Sequence, residues 1–101
     1  MLVFHVTFKC KPDMRDEFLE MIVTEGIDEA ARAEAGNRGY AFYFPADAPD
    51  DLFLIEKYTD MDAVKFHASQ PYIQKLTALK EEYTDDMILE MYVQPAPPSG
   101  K

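Results

Sequence analysis

Residues 52–72 constrain the fold most, because a strand, a turn and a short helix follow one another there without a linker. Residues 52–58 are rich in the apolar and aromatic side chains that favour a strand. Thr59 and Asp62 have the spacing of a helix-start motif, in which each side chain satisfies a free backbone N–H. Pro71 then predicts a break and the first turn of another helix. This segment therefore predicts a helix that folds directly back over its strand.

The same segment holds the candidate functional residues. Glu56 and Tyr58 share one face of the strand because side chains alternate with period two. When the helix folds over the strand, its His67 meets the acid and the phenol at one edge of the core. Histidine is suited to proton transfer because it titrates near neutral pH. Each residue also has a structural interpretation: His67 as a hydrogen-bonded structural residue, Glu56 as a bridge to the helix N-terminus, and Tyr58 and Tyr72 as core-edge aromatics.

Composition excludes several classes of protein. A chain of 101 residues with 48% apolar residues predicts one folded domain. The net charge of −9 argues against nucleic-acid binding, which needs a basic surface. No apolar run is long enough to span a membrane, and we expect a cytoplasmic protein. The single cysteine, Cys10, has no partner for an internal disulfide, and His5 and His67 are too far apart for a metal-ligand motif.

The first half of the chain predicts a strand and a long helix. Residues 2–10 alternate between two faces, as a half-buried strand does. Asp13 follows a proline and is a candidate N-cap for a helix over residues 14–35. Gly26 interrupts the helical pattern, and Gly36 is predicted to end it in a left-handed conformation. The charged side chains of this helix are predicted to face solvent: Glu17, Glu20, Arg32 and Glu34.

Three further strands are predicted over residues 39–44, 52–58 and 87–93, and an acidic turn joins the first two as an antiparallel hairpin. A helical stripe precedes the last strand and comprises Tyr72 or Ile73, Leu76, Leu79 and Tyr83. The order βαββαβ predicts a ferredoxin-like α+β fold, a four-stranded antiparallel sheet with helices on one face. We assign residues 1–94 to this domain and residues 95–101 to a proline-rich C-terminal tail.

The second face of the predicted sheet has no helix to cover it. Its apolar side chains, depending on register, are Val3, Leu54 or Phe53, Tyr43, and Ile88 or Tyr92. A large exposed apolar surface marks an interaction site, and the same face of a second copy can cover it by twofold symmetry. We therefore expect a homodimer through the open sheet face, with His5 at the interface.

Three motifs resemble the antibiotic biosynthesis monooxygenase domain family. They are EAGNRGYAFY at residues 34–43, FLIEKYTD at residues 53–60 and DAVKFHASQPYIQKL at residues 62–76. The resemblance covers nearly the whole chain and implies a dimeric α+β barrel. Family members oxidise quinols or anthrones with O2 and no cofactor, open haem, or isomerise a phosphorylated signalling molecule. This chain has no tryptophan and shows Val6 or its neighbours where haem-opening members carry asparagine, so the resemblance does not extend to haem degradation.

The resemblance implies a cofactor-independent monooxygenase that oxidises a small aromatic or quinol-type substrate with O2. Such a reaction needs a base, donors for an oxyanion and a dry cavity. His67 is the predicted base, with Glu56 to orient it and Tyr58 and Tyr72 as donors. The predicted apolar wall for a flat ring comprises Phe42, Phe66 and Val6. No cofactor or metal is expected.

Three other functions fit the same residues. An isomerase of a small phosphorylated dicarbonyl begins with the same proton abstraction, and it also needs a cation at the mouth of the site. The candidates for that cation are Lys9, Lys11, Arg38 and Lys65. A dimer that binds a small molecule without turnover and a purely structural dimer are the remaining alternatives, and only the structural dimer can do without a cavity beside His67.

Overall fold

The computed structural model describes residues 1–95, which form one antiparallel sheet with helices packed on one of its faces. The elements in chain order are β1 (Leu2–Cys10), α1 (Arg15–Thr24), α2 (Ile27–Arg32), β2 (Asn37–Tyr43), β3 (Asp51–Tyr58), α3 (Met61–Ala68), α4 (Tyr72–Tyr83) and β4 (Thr84–Val93). The strand order is β2-β3-β1-β4, with every neighbouring pair antiparallel. The predicted ferredoxin-like fold is confirmed. Most of the predicted tail, residues 96–101, lies outside the described residues.

The core lies between the sheet and the helices. Phe18 of α1 is fully buried, and its ring lies 5.2 Å from that of Phe8 and 5.9 Å from that of Tyr83. Leu54 belongs to this core, so the register turns its neighbour Phe53 to the opposite face. The other buried members are Val6, Cys10, Ile22, Ile27, Ala31, Tyr40, Leu52 and Leu79.

The predicted long helix is two helices, because Gly26 adopts a left-handed conformation (φ 72°) between α1 and α2. The prediction that Asp13 caps the first helix is wrong. Asp13 itself has a φ of 66°, and its N–H donates to Asp50 Oδ1 at 3.0 Å. Met14 takes the N-cap position without a side-chain hydrogen bond. The Asp13 side chain therefore gives no capping bond to α1.

Gly36 has a different role from the left-handed cap predicted for it. Within residues 1–95, Gly26 is the only glycine with a positive φ, and α2 already ends at Arg32. Gly36 instead packs against α3, where an added Cβ would clash with Ala63 Cβ and lie 3.3 Å from Ala63 Cα. Its carbonyl accepts the Thr59 N–H at 2.9 Å. The turn after α2 is thereby held against the start of α3.

The predicted Thr59 cap of α3 is one residue early. Asp60 is the N-cap, and its Oδ1 accepts the Ala63 N–H at 2.9 Å. Asp60 has the extended backbone that an N-cap residue adopts. The close approach of Gly36 to Ala63 and the Asp60 cap together determine where α3 starts. They therefore also determine where His67 lies.

The face of the sheet opposite the helices is apolar and uncovered in the single chain. Phe53 packs at 5.2 Å from the His5 ring, and Tyr92 at 4.8 Å from it. The large exposed apolar side chains on this face are Tyr43, Ile88 and Tyr92. Strand β4 lies at the sheet edge and also exposes its helix-side residues, which are Met87, Leu89, Met91 and Val93. Both faces of β4 are therefore available for packing against another surface.

Candidate active site

The four predicted catalytic residues come from three consecutive elements and lie together. Strand β3 supplies Glu56 and Tyr58 on its helix-side face, and α3 supplies His67 in its last turn. A sharp turn then starts α4 with Tyr72. In that turn the Phe66 carbonyl accepts two side-chain bonds, from Ser69 Oγ at 2.7 Å and from Gln70 Nε2 at 3.0 Å. The short connections bring all four functional side chains to one place.

His67 lies between two carboxylates. Its Nδ1 is 3.0 Å from Glu34 Oε2, and its Nε2 is 3.4 Å from Glu56 Oε1. The side chains are 13% exposed for His67 and for Glu56, and 6% for Glu34. Tyr58 donates its O–H to Glu56 Oε1 at 2.5 Å, and Tyr72 donates to Glu34 Oε2. Hydrogen bonds thus link Tyr72, Glu34 and His67 Nδ1 on one side of the ring, while the bonded pair of Tyr58 and Glu56 lies beside Nε2 on the other.

Glu34 was not among the predicted site residues, and the prediction that it faces solvent is wrong. It assumed a helix over residues 14–35, whereas α2 ends at Arg32 and Glu34 lies in the following turn. In that turn the Glu34 N–H donates to the Ala31 carbonyl at 3.2 Å, and the Glu34 side chain is only 6% exposed. The signal in the sequence was Gly36, which follows this acid two residues later and permits close packing against α3.

Burial controls the protonation of the groups around the imidazole. It raises the pKa of the Glu56 carboxyl above its ordinary value, while the Tyr58 hydrogen bond and the charge of His67 oppose that shift. Burial and then the neighbouring Glu56 raise the pKa of Tyr58, and burial and then the bond to Glu34 raise the pKa of Tyr72. Both phenols therefore remain protonated near neutral pH and act as hydrogen-bond donors.

The carboxylates flank opposite nitrogens of one ring, so the imidazole separates them and the three groups cannot converge on one ion. Across the described residues no group of three or more histidine, cysteine, aspartate or glutamate side chains is placed to hold a metal. The same part of the chain has no helix long and apolar enough to cross a membrane. The other histidine, His5, lies on the opposite face of the sheet.

A pocket of about 160 Å³ opens on the Nε2 side of His67. Glu56, Tyr58 and His67 form its polar edge, and its apolar lining comprises Phe4, Val64, Ala68 and Leu89. Leu89 belongs to β4 and is 55% exposed, so the wall on that side is open. The pocket is a largely apolar chamber with the proton-transfer groups at one edge.

The three predicted substrate-binding residues do not line this pocket. Val6 is 3% exposed within the core, and Phe42 packs against that core with its ring 5.5 Å from that of Tyr40. Phe66 lines a second pocket of about 390 Å³ together with Glu34, Gln70 and these small residues: Ala30, Ala33, Ala35, Gly36 and Ala63. Phe66 is 54% exposed there. The first pocket thus lies on the Glu56 side of His67 and the second on the Glu34 side.

Comparisons with known proteins agree with this fold. Residues 1–79 match the family model described as "Antibiotic biosynthesis monooxygenase". The protein named "Putative monooxygenase YcnE" from Bacillus subtilis (strain 168) is 30% identical over 82 residues, which are 81% of this chain and 84% of that relative.

Two solved structures show the same fold. The structure of Rv0793 from Mycobacterium tuberculosis has a TM-score of 0.79 at 23% identity and covers 98% of each chain. Protein SO0527 from Shewanella oneidensis has a TM-score of 0.81 at 23% identity and covers 92% of this chain and 89% of that one. The family model and the 30% identical relative show that the chain belongs to the antibiotic biosynthesis monooxygenase family.

Proposed function

We propose that this protein is a cofactor-independent monooxygenase that oxidises a small quinol-type aromatic with O2, with His67 as the base. The observation that carries the proposal is the position of His67 at the edge of an apolar pocket, held between Glu34 and Glu56. Family membership and the monooxygenase name of the Bacillus subtilis relative support the reaction class.

The reaction begins with proton transfer. His67 accepts a phenolic proton of the substrate, and the two carboxylates stabilise the imidazolium that forms. The electron-rich anion then reduces O2: one oxygen atom forms a new C–O bond to the ring, and the other leaves as water. The substrate supplies all four electrons, and the water carries the two hydrogens that the ring system loses. His67 returns its proton to the departing oxygen.

The pocket size favours a substrate with a single ring. Its volume of about 160 Å³ is below the roughly 300–1,000 Å³ of typical ligand sites. The Tyr58 O–H is already donated to Glu56, so the imidazolium is the donor for a developing phenolate, and Phe4 and Val64 supply apolar wall for the ring. We therefore expect monocyclic hydroquinones to react faster than three-ring anthrones.

The alternative reaction, isomerisation of a phosphorylated dicarbonyl, has less support from the site. No lysine or arginine is among the residues that line the His67 pocket, and two carboxylates lie beside it. Lys9 pairs with Asp51 at 2.7 Å, and Lys11 donates to the Glu82 carbonyl at 2.9 Å. A phosphate group in this pocket would meet negative charge without a compensating cation.

We also propose that the protein works as a homodimer through the open sheet face. The exposed Tyr43 and Ile88 lie on this face with Phe53 and Thr7 between them in the sheet, and a second copy can cover them. Tyr43→Ala should weaken this dimer, measured as an increased dissociation constant in analytical ultracentrifugation. A monomeric wild-type protein at micromolar concentration would refute the dimer.

Oxygen uptake tests the enzymatic proposal. The purified, metal-stripped protein is assayed with a panel of monocyclic hydroquinones and anthrones beside His67→Ala and Lys65→Ala. His67→Ala should lower the rate roughly 100-fold or more, as expected for loss of a general base. Lys65→Ala is the matched control, because Lys65 is exposed on the same helix and does not line the pocket.

Uptake above the uncatalysed rate that disappears in His67→Ala and persists in Lys65→Ala supports the proposal. An equal rate in His67→Ala and the wild type removes His67 as the base. No uptake with any substrate, combined with saturable binding of a hydroquinone, shows a binding protein and refutes the oxygenase.

A further inference from the structure

We propose that Glu34 is a positioning residue that holds His67 in the Nδ1–H tautomer, so that Nε2 is the nitrogen that accepts the proton. The inference rests on the proposed role of His67 as the base. It adds a residue that lines the second pocket and not the Nε2-side pocket, and that reaches the reacting nitrogen through the imidazole.

The first argument is the geometry at Nδ1. Both oxygens of Glu34 lie near this nitrogen, at 3.0 Å for Oε2 and 3.2 Å for Oε1. An ionised carboxylate can only accept hydrogen bonds, so the imidazole nitrogen must be the donor. With the Glu34 side chain only 6% exposed, little water is present to replace this contact. The acceptor at Nδ1 therefore selects the tautomer that carries its proton there.

The second argument is the weaker contact at the other nitrogen. Nε2 is 3.4 Å from Glu56 Oε1, which already accepts the Tyr58 O–H at 2.5 Å. That distance is long for a nitrogen–oxygen hydrogen bond. Nε2 also faces the pocket whose lining includes His67. A lone pair on Nε2 is therefore available to a bound substrate, and Glu56 can accept the new N–H once the ring is protonated.

The third argument is the position of Tyr72. Its O–H donates to Glu34, while its oxygen lies 3.1 Å from His67 Nδ1. When Glu34 is present, Tyr72 fixes the carboxylate. If Glu34 is removed, the same O–H is left with Nδ1 as its nearest acceptor, and donation to Nδ1 enforces the opposite tautomer. Loss of Glu34 should thus move the ring proton of His67 from Nδ1 to Nε2, whereas loss of the Tyr72 hydroxyl alone should leave it on Nδ1.

Nitrogen-15 NMR of the ring tests the tautomer without any substrate. The chain has two histidines, and His5 on the opposite sheet face is an internal reference in the same spectrum. At a pH where both rings are neutral, long-range ¹H–¹⁵N correlations should show Nδ1–H for His67 in the wild type. Glu34→Ala should change His67 to Nε2–H and leave the His5 signals in place. Unchanged His5 signals and a cooperative thermal transition show that the variant remains folded.

Three more variants separate positioning from general structural damage. Tyr72→Phe should keep the Nδ1–H tautomer, because Glu34 still accepts. Glu34→Gln should keep it through the amide oxygen. In the double variant Glu34→Ala/Tyr72→Phe no hydroxyl remains to donate to Nδ1, so His67 should show a mixture of the Nδ1–H and Nε2–H tautomers. Retention of Nδ1–H in Glu34→Ala, or its loss in Tyr72→Phe alone, would overturn the proposal.

Activity then connects the tautomer to catalysis. With a substrate identified by oxygen uptake, Glu34→Ala should lower kcat/KM by roughly 100-fold or more with a smaller change in KM. Glu34→Gln, which keeps the tautomer, should lose less than Glu34→Ala. If Glu34→Ala changes the tautomer but does not lower kcat/KM, the claim that this tautomer matters for catalysis is refuted. If no substrate is oxidised, the oxygenase proposal fails, and the NMR result still decides whether Glu34 positions the ring.

Discussion

The contact between Gly36 and Ala63 predicts that a side chain added at residue 36 destabilises the protein, and that a smaller residue at position 63 compensates for it. A Cβ added at residue 36 would clash with Ala63 Cβ, and would also lie 3.3 Å from Ala63 Cα and 3.4 Å from Thr59 Oγ1. The two nearest of these atoms, Ala63 Cβ and Cα, belong to α3 and cannot rotate away. Gly36→Ala should therefore lower the free energy of unfolding by about 1–3 kcal/mol, as overpacking does.

The compensating variant makes this prediction specific. Ala63→Gly alone should cost about 1 kcal/mol, because glycine is a poor helix former. The double variant Gly36→Ala/Ala63→Gly should remove the clash, so the two changes should show a coupling of about 1–3 kcal/mol. Gly26→Ala is the control. It has open space around it but a φ of 72°, so its loss of about 1–2 kcal/mol should not be recovered by Ala63→Gly.

Urea unfolding at one fixed protein concentration measures all five variants, Gly26→Ala/Ala63→Gly included, since any self-association makes apparent stability concentration-dependent. Thermal midpoints should move by about 4–8 °C for each kcal/mol in a domain of this size. Gly36→Ala with wild-type stability would show that the turn and α3 can separate at no cost. Strict additivity of the two changes would show that residues 36 and 63 do not meet, and would refute the reasoning.

Three further changes test the cap, the core and the thiol. Asp60→Ala should destabilise the protein by about 0.5–2 kcal/mol in urea unfolding through loss of the α3 cap, whereas Asp60→Asn, which keeps an acceptor, should cost less. Phe18→Ala should cost about 3–5 kcal/mol, because the ring is fully buried against two other aromatics. Burial and then the charge of Asp51 raise the pKa of Cys10 from 9.0 to about 11, so the folded chain binds more protons than the unfolded one between those values. The free energy of unfolding should therefore fall as pH rises from 9 to 11. Cys10→Ala should remove the contribution of the thiol to this pH dependence. If the difference in stability between the wild type and Cys10→Ala is constant over this pH range, the raised pKa of Cys10 is not the cause of the pH dependence.

The strands of the sheet followed from the sequence because strand patterns are local, whereas the register between them came only from the structure. Alternation over residues 2–10 and the acidic turn before β3 specified β1 and the β2–β3 hairpin, and the structure has both. Helix ends were less predictable. Asp13, Thr59 and Gly36 are all residue types favoured at helix ends, yet none has the predicted capping role. Several such residues compete within a few positions, and tertiary packing decides among them.

The sequence by itself determined the βαββαβ order, the apolar second face of the sheet, and the grouping of Glu56, Tyr58 and His67, because strand period and short connections act over a few residues. Only the tertiary structure decided that Glu34 joins them. Its place depends on where α2 ends and on how closely Gly36 approaches Ala63, a contact between segments 27 positions apart in the chain. Such contacts form only when the whole core packs, so Gly36 signals a close approach in the sequence but does not tell that it brings Glu34 to the imidazole.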